Sequence, residues 1–442
     1  MPTRKSPPRH PKENIGAEPR DRNHADALAF EKFAGPDPLR HKRKKAAVKH
    51  RTIDVENLRE IKDSDFATRA VDYNPIDATF LMIVIVLLLF GLVMVFSASY
   101  AQSIEDNGGN AAYYFMKQFR FALLGIAAML AFTYIFNYYF LKKFTFLFMM
   151  GTIVLLILVL VGGKTVGGAT RWFLIGGVQF QPSELSKLAV IFFLASWCEN
   201  HRNSMRKPKT LLKGLAWSVF PTALLLVMEP HYSCLILIVV TAMVILYAGG
   251  MDHKLFWSLF GVGLVLVGLF IFFGDKVPVD YISNRWYAWH NPEEYARSTG
   301  YQTLQSLMAL GTGGFFGVGL GNSRQKQLFL PESHNDYVLS VVGEELGMVG
   351  VIIVLLLFAL LVWRGLVIAS RARDRFGFLL VTGIMAKVAL QVVLNLAVVS
   401  NAVPVTGMAL PFFSYGGTAL VLQLAEMGVV LNISRQTRQK EK

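Results

Sequence analysis

The sequence predicts an all-α, polytopic membrane protein of about ten transmembrane helices, with one large extracellular loop between spans 7 and 8. Hydrophobic residues make up 53% of the 442 residues and charged residues only 17%, whereas soluble domains carry about 25% charged residues. Apolar stretches long enough to cross a bilayer follow one another along the chain. Lysine and arginine collect between these stretches, at alternate connections.

The predicted spans are apolar stretches close to the length of about 20 residues that a helix needs to cross the hydrocarbon core. Together they define a membrane domain over residues 76–433. They lie at Ile76–Ser97, Phe119–Phe140, Phe144–Val161, Ser183–Trp197, Leu211–Met228, Ser233–Gly249, Leu255–Gly274, Tyr337–Trp363, Phe376–Ser400 and Pro411–Ile433.

The basic connections predict the orientation of the chain. Cytoplasmic loops carry an excess of lysine and arginine, and this excess occurs at Lys142–Lys143, Arg202–Lys209 and Arg371–Arg375 and in both tails. Both termini are therefore predicted to be cytoplasmic, which requires an even number of spans. The C-terminal tail is 434–442. The N-terminal tail, 1–75, is predicted to be largely disordered because it is polar and mixed in charge.

The net charge of +14 is concentrated in these tails and loops, so it does not indicate a nucleic-acid-binding protein. The basic run His41–Lys45 either holds the N-terminal tail to anionic membrane lipids or docks a cytoplasmic partner, and the sequence leaves both open. Cys198 and Cys234 lie at the ends of apolar segments and indicate neither a disulfide framework nor a metal site.

The extracellular loop, 274–336, is predicted to carry the chemistry, because long loops on a rigid helical scaffold are usual places for binding and catalysis. At its end, His334 and Asp336 follow Pro331 and precede span 8. A half-desolvated carboxylate at this position has a pKa raised toward the range of a general base. The alternative role for Asp336 is to cap the N-terminus of span 8.

Carboxylates also occur inside the spans. Glu344 and Glu345 lie in span 8, where each charge costs roughly 2.5–3.5 kcal/mol by insertion scales. They are expected to face protein or water, and ion pairs are the favoured role. The charged residues of other spans that could take part are Glu184, Lys187, Lys387 and Glu426.

Positive groups are expected on the outer face as well. Arg171 suits bidentate phosphate binding, and its neighbour Trp172 suits an interfacial anchor. Arg285, Arg324 and Lys326 would extend the positive patch. The loop glycines would let backbone approach a substrate closely; they are Gly311, Gly313, Gly314, Gly317, Gly319 and Gly321.

Four runs resemble the signature segments of the SEDS family, the shape, elongation, division and sporulation proteins. They are ATRWFLIGGVQFQPSELSK, GYQTLQSLMALGTGGFFGVGLGNSRQK, FLPESHNDYVLSVVGEELG and PVTGMALPFFSYGG. The resemblance covers about Ala78 to Asn432, with the motifs in the family's order. The GEELG motif and the charged N-terminal tail are most similar to those of the cell-division members.

The resemblance implies a ten-span SEDS fold and a peptidoglycan glycosyltransferase that polymerises lipid II on the outer face of the cytoplasmic membrane. Asp336 matches the family's essential aspartate and would deprotonate the 4-hydroxyl of the acceptor GlcNAc. Substrate-binding residues are expected in the matching motifs and, from the positive outer patch, at Arg285. They are Arg171, Trp172, Glu184, Lys187, Arg285, Gln302, Gln305, Ser306, Arg324, Lys326, Pro331, Glu332, His334, Glu344, Glu345, Ser414 and Tyr415.

The resemblance also implies partners and a place in the cell. The expected partners are lipid II, a class B penicillin-binding protein transpeptidase, other division proteins and membrane lipids, at the division septum. No resident metal ligand is predicted, although a divalent cation, Mg²⁺ or Mn²⁺, could assist at the diphosphate. Two other functions stay open, a lipid II flippase and a non-catalytic scaffold for the transpeptidase.

The sequence departs from the family pattern at two segments. Glu229-Pro230-His231-Tyr232 stands where many members have a Gln-Pro-Asp type of segment, and the segment near Ser400 lacks a common glycine. Asn335 also stands where the family more often has threonine. These departures leave the elongation and sporulation members as alternatives to the division member.

Overall fold

A computed structural model describes residues 74–166, 169–176, 178–273, 280–298 and 300–437. The predicted N-terminal tail lies outside the described residues except for its last two positions. The last five residues of the predicted C-terminal tail and the first six of the predicted extracellular loop lie outside them as well.

A helix lies at every predicted span. Seven helices of the described chain are long and apolar enough to cross a membrane, and α5 with α6, bent by 43°, forms an eighth candidate. Of the remaining two, α7 has only 17 residues and α4 carries charge. The helices are α1 Ala78–Asp106, α2 Tyr113–Tyr134, α3 Tyr138–Gly162, α4 Pro182–Asn200, α5 Pro208–Trp217, α6 Val219–Met228, α7 Tyr232–Ala248, α8 His253–Phe273, α9 Asp280–His290, α10 Tyr301–Gly313, α11 Val338–Ser370, α12 Arg375–Val399 and α13 Gly417–Arg435.

The predicted bounds of the second span, 119–140, are wrong by about six residues at each end. The chain breaks after α2, and Asn137 begins α3 by accepting a hydrogen bond on its side-chain oxygen from the backbone N–H of Tyr139 at 3.0 Å. Asparagine is a strong N-cap residue. The aromatic residues on both sides of Asn137 continue the apolar stretch past it, so the break between the second and third predicted spans was placed at Lys142–Lys143 and not at Asn137.

The connection between α3 and α4 contains a small sheet, which the all-α prediction missed. Strands β1 (Lys164–Val166), β2 (Ala169–Ile175) and β3 (Val178–Phe180) pair in antiparallel order β1-β2-β3. Phe173 lies opposite Phe180. The strands are too short to show a clear alternating pattern, although threonine, valine and aromatic residues favour strands.

Helix α11 is interrupted at Gly347, whose φ of 68° and ψ of −167° are not helical. The break frees the carbonyls of Glu344 and Glu345, which accept hydrogen bonds from the N–H groups of Val318 and Gly319 at 2.9 Å. A Cβ on Gly317 would lie 2.2 Å from the Glu345 carbonyl oxygen. The loop backbone therefore packs closely against α11 at Gly317.

The two ends of the helical bundle can be told apart by the residues that lie there. At one end, Arg364 forms an ion pair with Asp77 at 2.7 Å, and the N–H of Asn74 donates to the carbonyl of Arg435 at 2.8 Å. We call this the terminal end. The opposite end, where α1 ends and α11 begins, is the site end.

Candidate active site

Asp336 lies in the turn immediately before α11, at the site end. Its carbonyl oxygen accepts a hydrogen bond from the side chain of Asn395 at 2.8 Å, and the same amide donates to the carbonyl of Met408 at 2.6 Å. These bonds hold the Asp336 backbone between α12 and the segment 400–416. The N-cap of α11 is Tyr337, with no side-chain capping bond, so the capping role considered for Asp336 is wrong.

Asp336 is half-buried, and the pKa of its carboxyl group is raised. Burial raises its pKa to about 7, the charge of Glu332 adds to the rise, and the positive charges of Arg285 and Arg171 oppose it. A carboxyl group with this pKa exists in both forms at pH 7, so it can accept a proton and release it again.

Two arginines from different elements act on the Asp336 carboxylate. Arg171 on β2 donates its Nε–H to the carbonyl of Glu229 at 2.9 Å and a second N–H to the carbonyl of Pro230. Arg285 on α9 donates to the carbonyl of Val405. Backbone carbonyls therefore hold both guanidinium groups close enough to lower the pKa of Asp336.

The segment 400–416 closes the other side of Asp336. Gly407 has a φ of 63°, and a Cβ built on it would lie 3.2 Å from Oδ2 of Asp336. The hydroxyl of Ser233, at the start of α7, donates to the carbonyl of Thr406. A side chain at position 407 would crowd the carboxylate, so glycine leaves space beside the reactive group.

An aromatic cluster flanks the turn. The ring of His334 stacks on Tyr114 with 5.0 Å between centroids, and the N–H of Tyr415 donates to the carbonyl of His334 at 2.8 Å. Burial lowers the pKa of His334, which favours the neutral ring at pH 7. Ser414 uses its hydroxyl inside the protein, where Oγ accepts from the N–H of Leu410 at 2.7 Å.

Several predicted substrate-binding residues are buried and already paired, which contradicts direct contact with substrate. Lys326 pairs with Glu345 at 2.7 Å. Glu344 accepts from the hydroxyl of Ser323 and from the N–H of Arg324 at 2.9 Å. The hydroxyl of Ser306 lies 2.8 Å from that of Ser340 and donates to the carbonyl of Val399 at 2.7 Å.

The charges inside the spans pair mostly as expected. Lys187 bonds to Glu184 at 2.6 Å within α4, and Lys387 on α12 pairs with Glu426 on α13. The partner of Glu345 is Lys326 of the loop, and neither of the two lysines considered for it. Lys187, Lys387 and Glu426 are all buried, so these pairs fasten the bundle internally.

The other predicted site residues are more open. Trp172 lies on β2 opposite Lys164, and Gln302, Gln305 and Pro331 are half-buried. Arg324 and Glu332 are exposed. Of this group, Glu332 is the one whose charge acts on Asp336, and Arg324 does not act on it.

The sequence did not assign a role to Glu229, which the structure places beside Arg171. Its side chain is 1% exposed, and neither carboxylate oxygen has a hydrogen-bond partner among the described residues. Burial raises its pKa to about 7, opposed by the charge of Arg171. Burial likewise lowers the pKa of His231 well below its usual value. The sequence did offer one signal for Glu229, because it places this carboxylate in the short connection between two apolar spans.

The described residues contain no group of three or more His, Cys, Asp or Glu side chains that could hold a metal ion. Among the described residues, the charged groups that act on the Asp336 carboxylate are Glu332, Arg285 and Arg171. Two carboxylates with two arginines do not by themselves form a site for the divalent cation considered from the sequence.

Comparison with known proteins is consistent across family, sequence and structure. The model of the FtsW, RodA and SpoVE family, described as cell cycle protein, matches residues 77–439. Stage V sporulation protein E of Bacillus subtilis (strain 168) is 38% identical over 368 residues, covering 82% of this chain and 98% of that protein. A probable peptidoglycan glycosyltransferase FtsW of Geobacter sp. (strain M18) is 38% identical over 372 residues, covering 82% and 97%.

Solved structures match along nearly their whole length. A chain from the structure described as "Structural coordination of polymerization and crosslinking by a peptidoglycan synthase complex" has a TM-score of 0.68 at 26% identity, covering 83% of this chain and 99% of that chain. The crystal structure of the rod shape determining protein RodA of Thermus thermophilus has a TM-score of 0.60 at 26% identity, covering 83% and 98%.

Proposed function

The chain belongs to the FtsW, RodA and SpoVE family of cell cycle proteins, and from this membership we propose that it is a peptidoglycan glycosyltransferase with Asp336 as its general base. Relatives named as probable peptidoglycan glycosyltransferases cover most of the chain. The observation that carries the role of Asp336 is its half-buried carboxyl group, with a pKa of about 7 and two arginines beside it.

The substrate of the proposed reaction is lipid II. Asp336 accepts the proton of the acceptor GlcNAc 4-hydroxyl as its oxygen attacks C1 of the donor MurNAc. The bond from C1 to the diphosphate breaks, and undecaprenyl diphosphate leaves with the bonding electrons. Arg171 and Arg285 stabilise the negative charge that this leaving group gains. Asp336 then returns its proton to solvent.

The site end faces the outside of the cell in this proposal, and the terminal end faces the cytoplasm. Basic residues at the terminal end support the orientation, because Lys142, Arg364, Arg371 and Arg375 lie at the helix ends there and basic residues are retained on the cytoplasmic side. A disaccharide outside the membrane and a polyprenyl chain within it then meet at the mouth of α11.

The proposed partner is a transpeptidase of the class B penicillin-binding proteins, and the proposed location is the division septum. A structural neighbour is part of a peptidoglycan synthase complex that combines polymerization and crosslinking. Relatives named FtsW support septal synthesis, while the equal identity to a sporulation protein supports the sporulation alternative. Fluorescence imaging of a tagged chain in growing cells separates septum, side wall and forespore.

The decisive experiment is polymerisation of purified lipid II by the purified chain together with its transpeptidase partner. We expect the wild type to form glycan strands and Asp336→Ala to form none. Glu105→Ala is the matched control, because Glu105 is an exposed carboxylate near the end of α1 and therefore also lies at the site end of the bundle. Full polymer formation by Asp336→Ala would show that another group is the base.

A flippase without chemistry would need a polar path through the bundle. The lysines that suggested such a path, Lys187 and Lys387, are buried and paired with Glu184 and Glu426. These pairs favour a packed scaffold over a channel. Transport of labelled lipid II across liposomes that is unaffected by Asp336→Ala would instead support the flippase.

A further inference from the structure

A cavity lies at the terminal end of the bundle, far along the helices from Asp336. Its volume is about 350 Å³, and it is bounded by the start of α1 and the ends of α11 and α13. Polar and charged side chains line much of it: Asn74, Asp77, Arg364, Arg371, Ser434 and Thr437.

The charges of this cavity do not cancel. Arg364 is engaged by Asp77, with one bond at 2.7 Å and a second at 3.0 Å. Arg371 is exposed and makes no side-chain hydrogen bond or ion pair with any other residue that the structure describes. Among the lining residues that the structure describes, two arginines against one aspartate leave one positive charge, on a side chain that is exposed.

Apolar side chains lead away from the cavity along α1. Ala78 lines the cavity, and residues four, seven and eleven positions later share its helix face. These are Met82, Ile85 and Leu89, which are 60%, 42% and 58% exposed. In a helix that crosses a bilayer, this face is covered by acyl chains.

The neighbouring helix provides a second apolar stripe. Leu360, Leu356 and Ile353 lie four, eight and eleven positions before Arg364 on α11 and are exposed by about half. Each stripe extends about 16 Å at 1.5 Å per residue, close to the roughly 15 Å of one leaflet of a hydrocarbon core about 30 Å thick.

We propose that this cavity binds the headgroup phosphate of an anionic phospholipid, whose acyl chains lie along the exposed stripes of α1 and α11. Basic pockets between transmembrane helices are suited to anionic headgroups, and a guanidinium group binds phosphate oxygens through paired N–H donors. The continuity of the charged cavity with two apolar stripes distinguishes a lipid from a free anion.

Native mass spectrometry of the purified full-length chain tests the proposal. The protein is exchanged into detergent containing equal amounts of phosphatidylglycerol and phosphatidylcholine, with or without inorganic phosphate. We expect selective retention of phosphatidylglycerol, and about a fivefold loss of it in Arg371→Ala, because one arginine near a lipid surface contributes about 1 kcal/mol.

Arg373→Ala is the matched control, because Arg373 is an exposed arginine of the same connection that does not line the cavity. We expect it to retain phosphatidylglycerol as the wild type does. Equal retention of the two lipids, equal retention by the wild type and Arg371→Ala, or displacement of phosphatidylglycerol by millimolar inorganic phosphate would each overturn the proposal. Unchanged thermal unfolding of Arg371→Ala confirms that the variant is folded.

Discussion

Lys326 Nζ lies 2.7 Å from Glu345 Oε1, and both side chains are buried where the loop before α11 meets the bundle. Ser97 of α1 completes the contact, since its hydroxyl accepts from Lys326 at 2.8 Å and donates to Glu345 at 2.7 Å. Two helices and the loop therefore share one hydrogen-bonded ion pair. The pair holds the loop that ends at Asp336.

Removing one member of this pair should destabilise the protein strongly. A lone buried charge costs about 3–5 kcal/mol, so we expect Lys326→Met or Glu345→Gln alone to lower the unfolding temperature in detergent. The double variant should recover part of the loss, because neither charge is then left unpaired. Arg324→Met, on an exposed arginine of the same loop, is the control. If the decreases in unfolding temperature of the two single variants simply add in the double variant, Lys326 and Glu345 are not coupled and the prediction is wrong.

The transmembrane helices could be predicted because a bilayer demands long apolar segments, which the sequence displays locally. The second span shows the limit, since the break before Asn137 lies among aromatic residues and the apolar stretch continues past it. The sheet Lys164–Phe180 was missed for a related reason. Its strands have three to seven residues, too few for the alternation of side chains to be distinctive.

Some residues of the candidate site could likewise be predicted from the sequence, and others could not. Asp336 was predictable because its position before an apolar span already implies half burial at the mouth of a helix. The roles of Lys326 and Glu229 were not, because each depends on a contact between distant parts of the chain. Lys326 meets Ser97 across more than two hundred residues, and Arg171 reaches Glu229 from a different connection.

The raised pKa of Asp336 predicts the pH dependence of polymerisation. A general base acts only when deprotonated, so activity should fall as the pH drops below about 7 and level off above it. Asp336→Asn should lower the rate by about 10²–10⁴-fold and remove this dependence from the residual activity. Initial rates of lipid II polymerisation across the pH range provide the measurement. A wild-type profile that is flat down to the ordinary pKa of a carboxylate would contradict the assignment.

The charge of Arg171 should move that profile. Arg171 lowers the pKa of Asp336, so Arg171→Gln should shift the acid limb toward higher pH, whereas Arg171→Lys keeps the charge and should shift it less. Arg324→Gln is a control with the same loss of charge, since Arg324 does not act on Asp336. Equal profiles for Arg171→Gln and Arg324→Gln would show that Arg171 is too distant to matter.

Glu229 should make stability depend on pH. Its pKa rises from 4.5 to about 7 on folding, so the folded state binds the proton more tightly than the unfolded state, and stability falls as the pH rises toward about 7. Each pKa unit is worth about 1.4 kcal/mol, so the rise sets an upper limit of about 3.5 kcal/mol on the change in stability. Glu229→Gln resembles the protonated side chain, so it should unfold at a higher temperature than the wild type at a pH of about 8 and at a similar temperature at a pH of about 5. An equal difference at both pH values would contradict the linkage.

Gly407 should affect activity more than stability. Its φ of 63° makes alanine cost roughly 1–2 kcal/mol, and the added Cβ would lie 3.2 Å from Oδ2 of Asp336. The carboxylate must then shift by a few tenths of an ångström. Because displacement of a catalytic group by about 1 Å can lower the rate about 10²-fold, Gly407→Ala should reduce the initial rate of polymerisation by less than about 10²-fold. Gly321→Ala is the control, because Gly321 also has a positive φ, 85°, but a Cβ there meets nothing within 4 Å. We expect the two variants to lose similar stability in thermal unfolding and only Gly407→Ala to lose activity. Equal activity in both would mean that the carboxylate of Asp336 does not need the space that Gly407 leaves beside it.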